Sequence, residues 1–302
     1  MSDANTELRQ TLFTGNCVTH KQGLTRSIPP KKLFLCHPMP LFISSLNSGS
    51  NGNCYYVGNE REAVLIDAGI SCRETERRMA RLGLSLQTVK AIFVSHEHSD
   101  HIRGISQLAK KYQLPVYITS QTLQGSGLSA QCYPIRPLRG YEPVWIGDLA
   151  ITAFPKQHDA RDPHSFLVAD GQTSVGVFTD IGAVCQHVVH HFSQCHAAFL
   201  ETNYDDDLLT LGRYPPYLKK RIQSDEGHLS NHQALALFRQ HKPAFMSHLL
   251  LAHLSKDNNS PQIVGDLFKA HAENVKVIVA SRFAETPVFC IEGAQTHYEQ
   301  EG

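Results

Sequence analysis

The sequence predicts an α+β protein with one main domain at residues 39–302. Short β-rich runs separated by glycine-containing turns occupy residues 41–66 and 144–178, and helical apolar spacing prevails after residue 205. Hydrophobic residues make up 41% of the 302 residues and charged residues 19%, which is typical of a globular chain and argues against a disordered or fibrous one. We therefore expect a sizeable buried core.

The first 38 residues show neither helical nor strand periodicity, and we predict a loosely ordered extension there. They lack the continuous apolar segment of a signal peptide, and no apolar run in the chain approaches the roughly 20 residues that cross a bilayer. The eight cysteines are scattered without a C-x-x-C pair, which indicates buried thiols in a reducing compartment. We expect a soluble, cytoplasmic protein that makes no membrane contact.

The first half of the domain is predicted to enter a sheet as a meander and then to alternate between strands and helices. Apolar runs bounded by turn residues predict strands at 41–46, 55–57, 63–66, 91–94 and 116–118. Helical spacing of apolar residues predicts helices at 73–82 and 102–112.

The second half continues with strands and then becomes mainly helical. Strands are predicted at 144–146, 150–154, 165–168, 174–178, 197–200, 244–247, 275–280 and 288–291. Helices are predicted at 183–191, 205–211, 216–222, 231–240 and 261–270.

Four potential metal ligands lie within six positions at residues 96–101, where the sequence is H-E-H-S-D-H. In an extended segment residues two apart project to the same side, so His96 and His98 can share one ion. The turn into the following helix directs Asp100 and His101 toward a neighbouring point. Because the cluster follows a buried strand directly, we predict two adjacent metal ions there rather than a solvated histidine-rich loop.

Two metal ions about 3.5–4 Å apart need further protein ligands. Three candidates follow predicted strands, namely His158, Asp180 and His253. A carboxylate can bridge two ions because it has two oxygens, so Asp180 is a candidate bridge. His248 is the rival to His253, and we interpret the remaining histidines as structural.

The order of these residues resembles that of the metallo-β-lactamase superfamily, in which a strand-end Asp precedes H-x-H-x-D-H, a distant His, a bridging Asp and a late His. The strand-end residue is Asp67 here, and the similarity spans about residues 41–292. The resemblance implies an αββα four-layer sandwich in which Asp67 supports the ligands and Asp180 bridges the metals. It assigns one ion to His96, His98 and His158, and the other to Asp100, His101 and His253.

Further segments are similar to the YycJ/WalJ family, whose members are taken to be metal-dependent nucleases or phosphodiesterases that act on DNA. The most family-specific segments are 48–53 (S-G-S-N-G-N) and 227–231 (G-H-L-S-N). β-Lactamases usually have Cys where Asp180 stands, and an oxygen bridge suits phosphate chemistry better than a thiolate. The intervals on either side of Asp180 are too short for the arm of tRNase Z or the inserted domain of RNase J.

Glu201 and His228 resemble the Glu and His with which tRNase Z protonates the leaving oxygen. A carboxylate would hold one tautomer of His228 and favour its protonated form, so that the ring can donate a proton near neutral pH. The alternative is that His228 caps the helix predicted from residue 231 and that Glu201 is a solvated strand end. We predict catalytic roles for Glu201 and His228, and we count Asp100 with them.

Basic and aromatic residues in the later half of the chain favour a polynucleotide substrate. Lys+Arg and Asp+Glu both number 28, so nucleic acid would need a local basic patch. The dense basic run is Lys219, Lys220 and Arg221, and near it lie Tyr204, Tyr214 and Tyr217. Basic groups with stacking rings are typical of sites that bind single strands, although a charge run is more often a solvated helix face. We assign the three basic residues and Asn53 to substrate contacts.

These observations, with the resemblance, predict a binuclear metal-dependent phosphodiester hydrolase, with a DNA exonuclease acting on single strands as the favoured form. A hydroxide bridging two divalent ions, zinc or manganese, would attack phosphorus, and His228 would protonate the leaving oxygen. The alternatives are a small-molecule phosphodiesterase, a thioesterase or lactonase similar to glyoxalase II, and a metal-binding regulatory protein. The oligomeric state stays open.

Overall fold

The computed structural model describes residues 40–293, which form two seven-stranded sheets. The extension predicted at residues 1–38 lies outside this range. Strands are numbered β1 to β14 and helices α1 to α9 in chain order.

The first sheet holds the strands of the amino-terminal half and is closed at one edge by the last strand. Its strands are β1 (Leu41–Asn47), β2 (Cys54–Gly58), β3 (Ala63–Ile66), β4 (Val89–Phe93), β5 (Val116–Ile118), β6 (Ile135–Pro137) and β14 (Phe289–Ile291). Their order is β14-β1-β2-β3-β4-β5-β6. The pairs β14–β1, β1–β2 and β2–β3 are antiparallel, and β3, β4, β5 and β6 are mutually parallel.

The second sheet has the order β13-β12-β11-β10-β9-β8-β7. Its strands are β7 (Val144–Ile146), β8 (Leu149–Pro155), β9 (His164–Ala169), β10 (Ser174–Phe178), β11 (Ala197–Glu201), β12 (His248–Ala252) and β13 (Lys276–Val279). β10 to β13 are mutually parallel, and β7 to β9 pair antiparallel. The carboxyl ends of four consecutive strands therefore meet at one edge of this sheet.

Nine helices connect the strands within residues 40–293. They are α1 (Cys72–Arg81), α2 (Ser99–Ile102), α3 (Ile105–Tyr112), α4 (Ser120–Ser126), α5 (Gln186–Phe192), α6 (Asp206–Leu211), α7 (Pro216–Ile222), α8 (Asn231–His241) and α9 (Pro261–Lys269). None of these helices is long and apolar enough to cross a membrane.

Three apolar layers hold the elements together. Ile43 and Phe93 of the first sheet meet Phe166 and Phe199 of the second, and all four side chains are fully buried. A second cluster packs α5, α8 and α9 against the outer face of the second sheet, and a third packs α1 and α3 against the first sheet. Full burial of each such side chain contributes about 1.5–3 kcal/mol. The layers are helix, sheet, sheet, helix, which confirms the predicted αββα sandwich.

Most predicted elements are present, with three differences. The strand predicted at 244–247 is wrong, because β12 begins at His248 and places Leu249, Leu250 and Leu251 between β11 and β13. α4 and β6 were not expected from the sequence. The helix predicted at 102–112 begins later, as α3 at Ile105, and the short α2 precedes it; between them lies Gly104, where a Cβ atom would lie 1.8 Å from the Ile70 carbonyl oxygen.

The cysteines differ from the expectation that they are all buried. Cys54, Cys72 and Cys195 are buried, whereas Cys132 and Cys290 are exposed. All six cysteines within residues 40–293 are free thiols.

Candidate metal centre

The strand ends bring together residues that are far apart in the sequence. β3 is followed by Asp67 and β4 by the segment 96–101, while in the second sheet β10 is followed by Asp180 and β12 by His253. Parallel strands present their carboxyl ends at one edge, which is the usual place for a functional site in sheets of this kind. Both sheets therefore contribute to one polar cluster.

The first group of possible ligands contains His96, His98 and His158. One ring nitrogen of each lies within 4.8 Å of the others, and Nε2 of His96 is 3.1 Å from Nδ1 of His98. His96 and His158 are buried. Burial lowers the pKa of His158 to about 4, because its charged form is poorly solvated. A neutral imidazole is the form that binds a metal ion.

The second group contains Asp100, His101 and His253, again with ligand atoms within 4.8 Å of one another. Oδ2 of Asp100 lies 3.6 Å from Nε2 of His101 and 3.7 Å from Nε2 of His253. Three potential ligands converge here from two different sheets.

Asp180 lies between the two groups. Its Oδ2 is 3.1 Å from Nε2 of His101, and its Oδ1 is 3.9 Å from Nε2 of His158. It also forms a group of potential ligands with His96 and His101, one residue from each set. Oδ1 also lies 3.4 Å from Nδ1 of His253, so the carboxylate of Asp180 stands between the two sets, where a bridging ligand would have to lie. The assignment as a bridge stays a prediction.

Asp67 is fully buried and orients the rings behind the first-sheet ligands. Nδ1 of His101 donates to Oδ2 of Asp67 at 2.6 Å, which directs Nε2 of His101 toward the cluster. The hydroxyl of Ser95 also donates to Asp67, at 2.7 Å, and accepts from Nδ1 of His96 at 2.9 Å. The geometry agrees with the supporting role that we predict for Asp67, and it gives Ser95 a similar position that no sequence pattern indicates.

Two more rings are oriented in the same way. Nδ1 of His158 donates to the carbonyl oxygen of Gly227 at 3.0 Å, and Nδ1 of His253 donates to Oε1 of Glu201 at 2.9 Å. The opposite atoms are left without a hydrogen bond, since Nε2 of His158, Nε2 of His253 and Oδ2 of Asp180 are all buried and unpartnered. Buried polar atoms without a partner are costly unless something satisfies them. Divalent cations would satisfy all three, so the residues present fit a metal centre.

Three residues of the cluster have left-handed backbone conformations. Asp67, Asp180 and His253 have φ angles of 60°, 55° and 56°. Asp67 and His253 directly follow a strand and Asp180 lies two residues after one, where the chain turns sharply at the sheet edge. Asp and His tolerate this region better than most residues, and unusual backbone angles cluster at functional sites.

Glu201 joins His228 to the cluster. Its Oε1 accepts from Nδ1 of His228 at 2.8 Å as well as from His253, while its Oε2 accepts from the backbone N–H of Ile181 at 2.6 Å. Burial raises the pKa of Glu201, but the two adjacent imidazoles outweigh this and lower it to about 2. Glu201 is therefore an ionised carboxylate held by four protein groups, the fourth being the N–H of Leu229.

The alternatives for Glu201 and His228 do not hold. Glu201 is 0% exposed, so it is not a solvated strand end. The cap of α8 is Ser230, whose side chain accepts from the N–H of Gln233 in a reciprocal capping box, so His228 does not cap that helix. The ring of His228 is partly exposed and lies 5.2 Å from that of His158, between centroids. It can reach both the cluster and solvent.

Asn53 is placed differently from our expectation. It is fully buried, its Oδ1 accepts from the N–H of Gly49 at 3.0 Å, and its Nδ2 donates to Oδ2 of Asp100 at 3.2 Å. Nδ2 also lies 3.0 Å from Nε2 of His101. These contacts favour a role in positioning ligands over the substrate contact that we predicted.

The basic run on α7 is only partly available to a substrate. Lys219 donates to the carbonyl oxygen of Thr210 at 2.6 Å, and Nε of Arg221 donates to Asp159 at 2.6 Å. Lys220 is exposed. Among the tyrosines near this run, Tyr204 is buried and therefore cannot stack on a base, whereas Tyr217 is 76% exposed.

Two other residues near the cluster were not expected to have a role. Lys156 is buried and donates to the carbonyl oxygen of Thr179 at 2.6 Å, which holds the residue before Asp180. Asn203 donates to the carbonyl oxygen of His253 at 2.9 Å. Nothing in their local sequence distinguishes them from ordinary polar residues.

His248, the rival to His253, lies at the opposite end of β12 and contacts Ser247 instead.

Comparisons with known proteins agree with this architecture. A family model described as the β-lactamase superfamily domain matches residues 62–253. Exodeoxyribonuclease YycJ of Bacillus anthracis is 33% identical over 262 residues, which cover 79% of this chain and 97% of that protein. Exodeoxyribonuclease WalJ of Streptococcus pneumoniae is 31% identical over 73% of this chain and 84% of its own length.

A solved structure extends the comparison to the fold. The metallo-β-lactamase fold protein YhfI from Bacillus subtilis superposes with a TM-score of 0.64 at 18% identity, covering 83% of this chain and 99% of that one. The family model spans most of the two sheets, and YycJ aligns over nearly its whole length. The chain therefore belongs to the β-lactamase superfamily and is a metal-dependent hydrolase similar to the exodeoxyribonucleases YycJ and WalJ.

Proposed function

We propose that this protein is a binuclear phosphodiester hydrolase that acts as an exonuclease on single-stranded DNA. The observation that carries the proposal is the pair of ligand groups joined by Asp180, with His228 beside them. Two ions side by side are suited to phosphoryl transfer, because together they hold both the attacking and the leaving oxygen. The names of the YycJ and WalJ relatives favour DNA as the substrate.

The donor set favours zinc or manganese. It combines imidazole nitrogens with carboxylate oxygens and, among residues 40–293, brings no cysteine sulfur to the cluster. Such mixed sites suit first-row divalent ions. When bound, these ions would supply an activated water near neutral pH and would neutralise charge on the phosphate.

The chain's own residues supply positioning and a proton. His228 would donate a proton from Nε2 to the departing oxygen, since its Nδ1 is engaged by Glu201. Glu201 would hold the ring in that orientation, with Nε2 free to face the departing oxygen. Asp100 would position the attacking water from its place beside His101 and His253.

Two weaker features support the rest of the proposal. Lys220 and Tyr217 offer an exposed charge and an exposed ring on α7, which suits a single strand better than a small diester. The free thiols of the described cysteines fit a reducing compartment, and we place the protein in the cytoplasm on that ground.

A turnover panel tests the proposal. Metal-reconstituted protein is given end-labelled single-stranded DNA, the matching duplex, single-stranded RNA, bis-p-nitrophenyl phosphate and a thioester. We expect single-stranded DNA to be degraded from one end and the thioester to be untouched. The Asp180→Asn variant, purified in the same way, controls for contaminating nucleases. Preferred cleavage of the thioester, or of the small diester with DNA left intact, would overturn the nuclease assignment.

A further inference from the structure

A cavity of about 200 Å³ lies beside the candidate metal centre, at the carboxyl ends of β12 and β13. These two strands are parallel neighbours, so the segments that follow them meet at the same sheet edge. β12 leads to His253 and then to Leu254, Ser255 and Lys256. β13 leads to Ser281, Arg282 and Phe283. Residues of both segments line the cavity.

The cavity is tied directly to the metal ligands. Ser48 lies in its wall, and the Ser48 hydroxyl accepts from the backbone N–H of His253 at 2.7 Å. The backbone N–H of Ser48 donates to the carbonyl oxygen of Ser281 at 3.2 Å. Asn51, in the same glycine turn, donates to the carbonyl oxygen of Arg282 at 2.8 Å. Hydrogen bonds therefore join the cavity wall to the backbone of His253, and the residue after His253, Leu254, lines the cavity.

Cationic groups without acidic partners border the cavity. Nη1 of Arg282 is buried and has no hydrogen-bond partner. Lys256 is exposed and takes part in none of the ion pairs found within residues 40–293. The carboxylate next in sequence, Asp257, accepts from the hydroxyl of Tyr214 at 3.0 Å. An unpaired guanidinium nitrogen in a cavity wall indicates an anionic ligand, because leaving it unsatisfied is costly.

Phe283 holds an exposed ring at the rim of the cavity. The residue is 77% exposed although its backbone is fixed, since its carbonyl oxygen accepts from Nη2 of Arg78 at 3.1 Å and its N–H donates to the Ser281 hydroxyl at 3.0 Å. Nothing within residues 40–293 covers the ring. An apolar ring beside two cations is the combination with which proteins bind a base and its phosphate.

We propose that this cavity binds one nucleotide of a single-stranded DNA substrate, with the phosphate at Arg282 and Lys256 and the base stacked on Phe283. The inference rests on the proposed nuclease function and extends it by naming a strand-binding subsite on the His253 side of the centre. The subsite would hold the nucleotide next to the scissile phosphate, so its loss would raise KM for DNA without altering the reaction at the metals.

The kinetic test compares single variants on two substrates. Phe283→Ala and Arg282→Ala should each raise KM for single-stranded DNA about 5- to 100-fold, the range that loss of one stacked base gives. Turnover of bis-p-nitrophenyl phosphate should stay within about twofold, because that ester is too short to reach the cavity. Phe283→Tyr should retain most of the affinity, since a phenol ring also stacks. Trp145→Ala removes another exposed ring, 64% exposed, from the strand at the opposite edge of the second sheet and serves as the control.

A fluorescent base reports on binding at the subsite independently of enzyme activity. Phosphorothioate single strands that carry 2-aminopurine at successive positions are bound to the metal-loaded enzyme. One position should change in fluorescence with the parent protein and with Phe283→Tyr, but not with Phe283→Ala. If Phe283→Ala leaves both KM and every fluorescence change intact, the subsite is refuted while the nuclease function stands. If the parent protein neither cleaves nor binds single-stranded DNA, the proposed function itself has failed.

Discussion

Nδ1 of His228 lies 2.8 Å from Oε1 of Glu201, and the same oxygen accepts from Nδ1 of His253 at 2.9 Å. One buried carboxylate oxygen thus orients both the proposed proton donor and a proposed metal ligand. Because Glu201 contacts both rings, its replacement should affect metal binding and proton donation together. Replacement of His228 should affect proton donation alone.

His228→Ala should retain both metals and a normal fold. It should slow cleavage of a DNA phosphodiester roughly 10²- to 10⁴-fold, the usual contribution of a positioned proton donor. Bis-p-nitrophenyl phosphate should lose much less, because p-nitrophenolate leaves without a proton. Both rates are measured with metal content determined on the same sample. His232→Ala, an exposed histidine on the next helix, is the control. Equal losses on both esters, or loss of metal, would refute the acid role.

Glu201→Gln should impair metal binding as well as proton donation. The neutral amide cannot stabilise the two imidazoles as the ionised carboxylate does, and loss of such a supporting group typically costs 10- to 100-fold in metal affinity. The expected result is therefore weaker metal binding together with slower DNA cleavage. A metal titration with a competing chelator measures the first effect. The exposed Glu226 provides the control variant Glu226→Gln. Unchanged metal affinity would show that the contact to His253 is dispensable.

Asp180→Ala should lose both metals or leave one, because Asp180 faces both ligand groups. His158→Ala should weaken only the site that it shares with His96 and His98. Elemental analysis after extensive dialysis measures the metal content per chain, and Asp225→Ala, an exposed carboxylate, controls for handling losses. Two metals per chain in the Asp180 variant would contradict the bridging assignment.

Metal loading should release protons. In the metal-free protein burial lowers the pKa of His253, but Asp180, Asp100 and Glu201 outweigh it and raise the pKa to about 10. The ring is therefore protonated at pH 7.5 and must lose the proton on Nε2 before that atom can bind an ion. Calorimetric titrations with zinc in buffers of different ionisation enthalpy count the protons. We expect at least one per chain, and affinity that weakens as pH falls. A binding enthalpy independent of the buffer would contradict this.

Replacements of the basic residues of α7 should have different effects on turnover, because the residues make different contacts. Lys220→Ala should reduce DNA turnover, leave bis-p-nitrophenyl phosphate nearly unchanged and flatten the salt dependence of binding by about one ion. Arg221→Ala should slow both substrates, because Arg221 pairs with Asp159, whose Oδ1 lies 3.4 Å from Nε2 of His158.

The control for this series is Lys269→Ala, an exposed lysine on α9. The combined change of Lys219, Lys220 and Arg221 to Ala should show both effects together. If Lys220→Ala behaves like Lys269→Ala, α7 does not contact the DNA strand.

The ligand groups could be predicted because their signals are local. His96, His98, Asp100 and His101 are close in sequence, and the strand before them fixes the faces on which they lie. His158, Asp180 and His253 each follow a strand, and the apolar runs before them predict those strands. The late strand was predicted four residues too early, yet His253 still followed it.

Contacts between distant segments were not predictable in this way. We predict that Asn53 contacts the substrate, but the turn at 48–53 buries its side chain. The Asn53 amide nitrogen contacts Asp100 and His101 instead. Tyr204 was expected beside the basic run, but its isolated bridge to Ser230 buries it. Such outcomes depend on how loops pack, for which a single sequence carries no periodic signal.

The sequence alone predicted a metal-dependent hydrolase, because ligand type and strand-end position are local properties, and the family resemblance of its motifs implied the layered fold. The order and register of the strands in the two sheets decided which side chains contact one another, including which two rings donate to the same carboxylate oxygen. That order placed Glu201 between His228 and His253, put left-handed turns at Asp67, Asp180 and His253, and set Arg282 and Phe283 beside the centre. These relationships arise from pairing between strands far apart in the chain, so no local pattern encodes them.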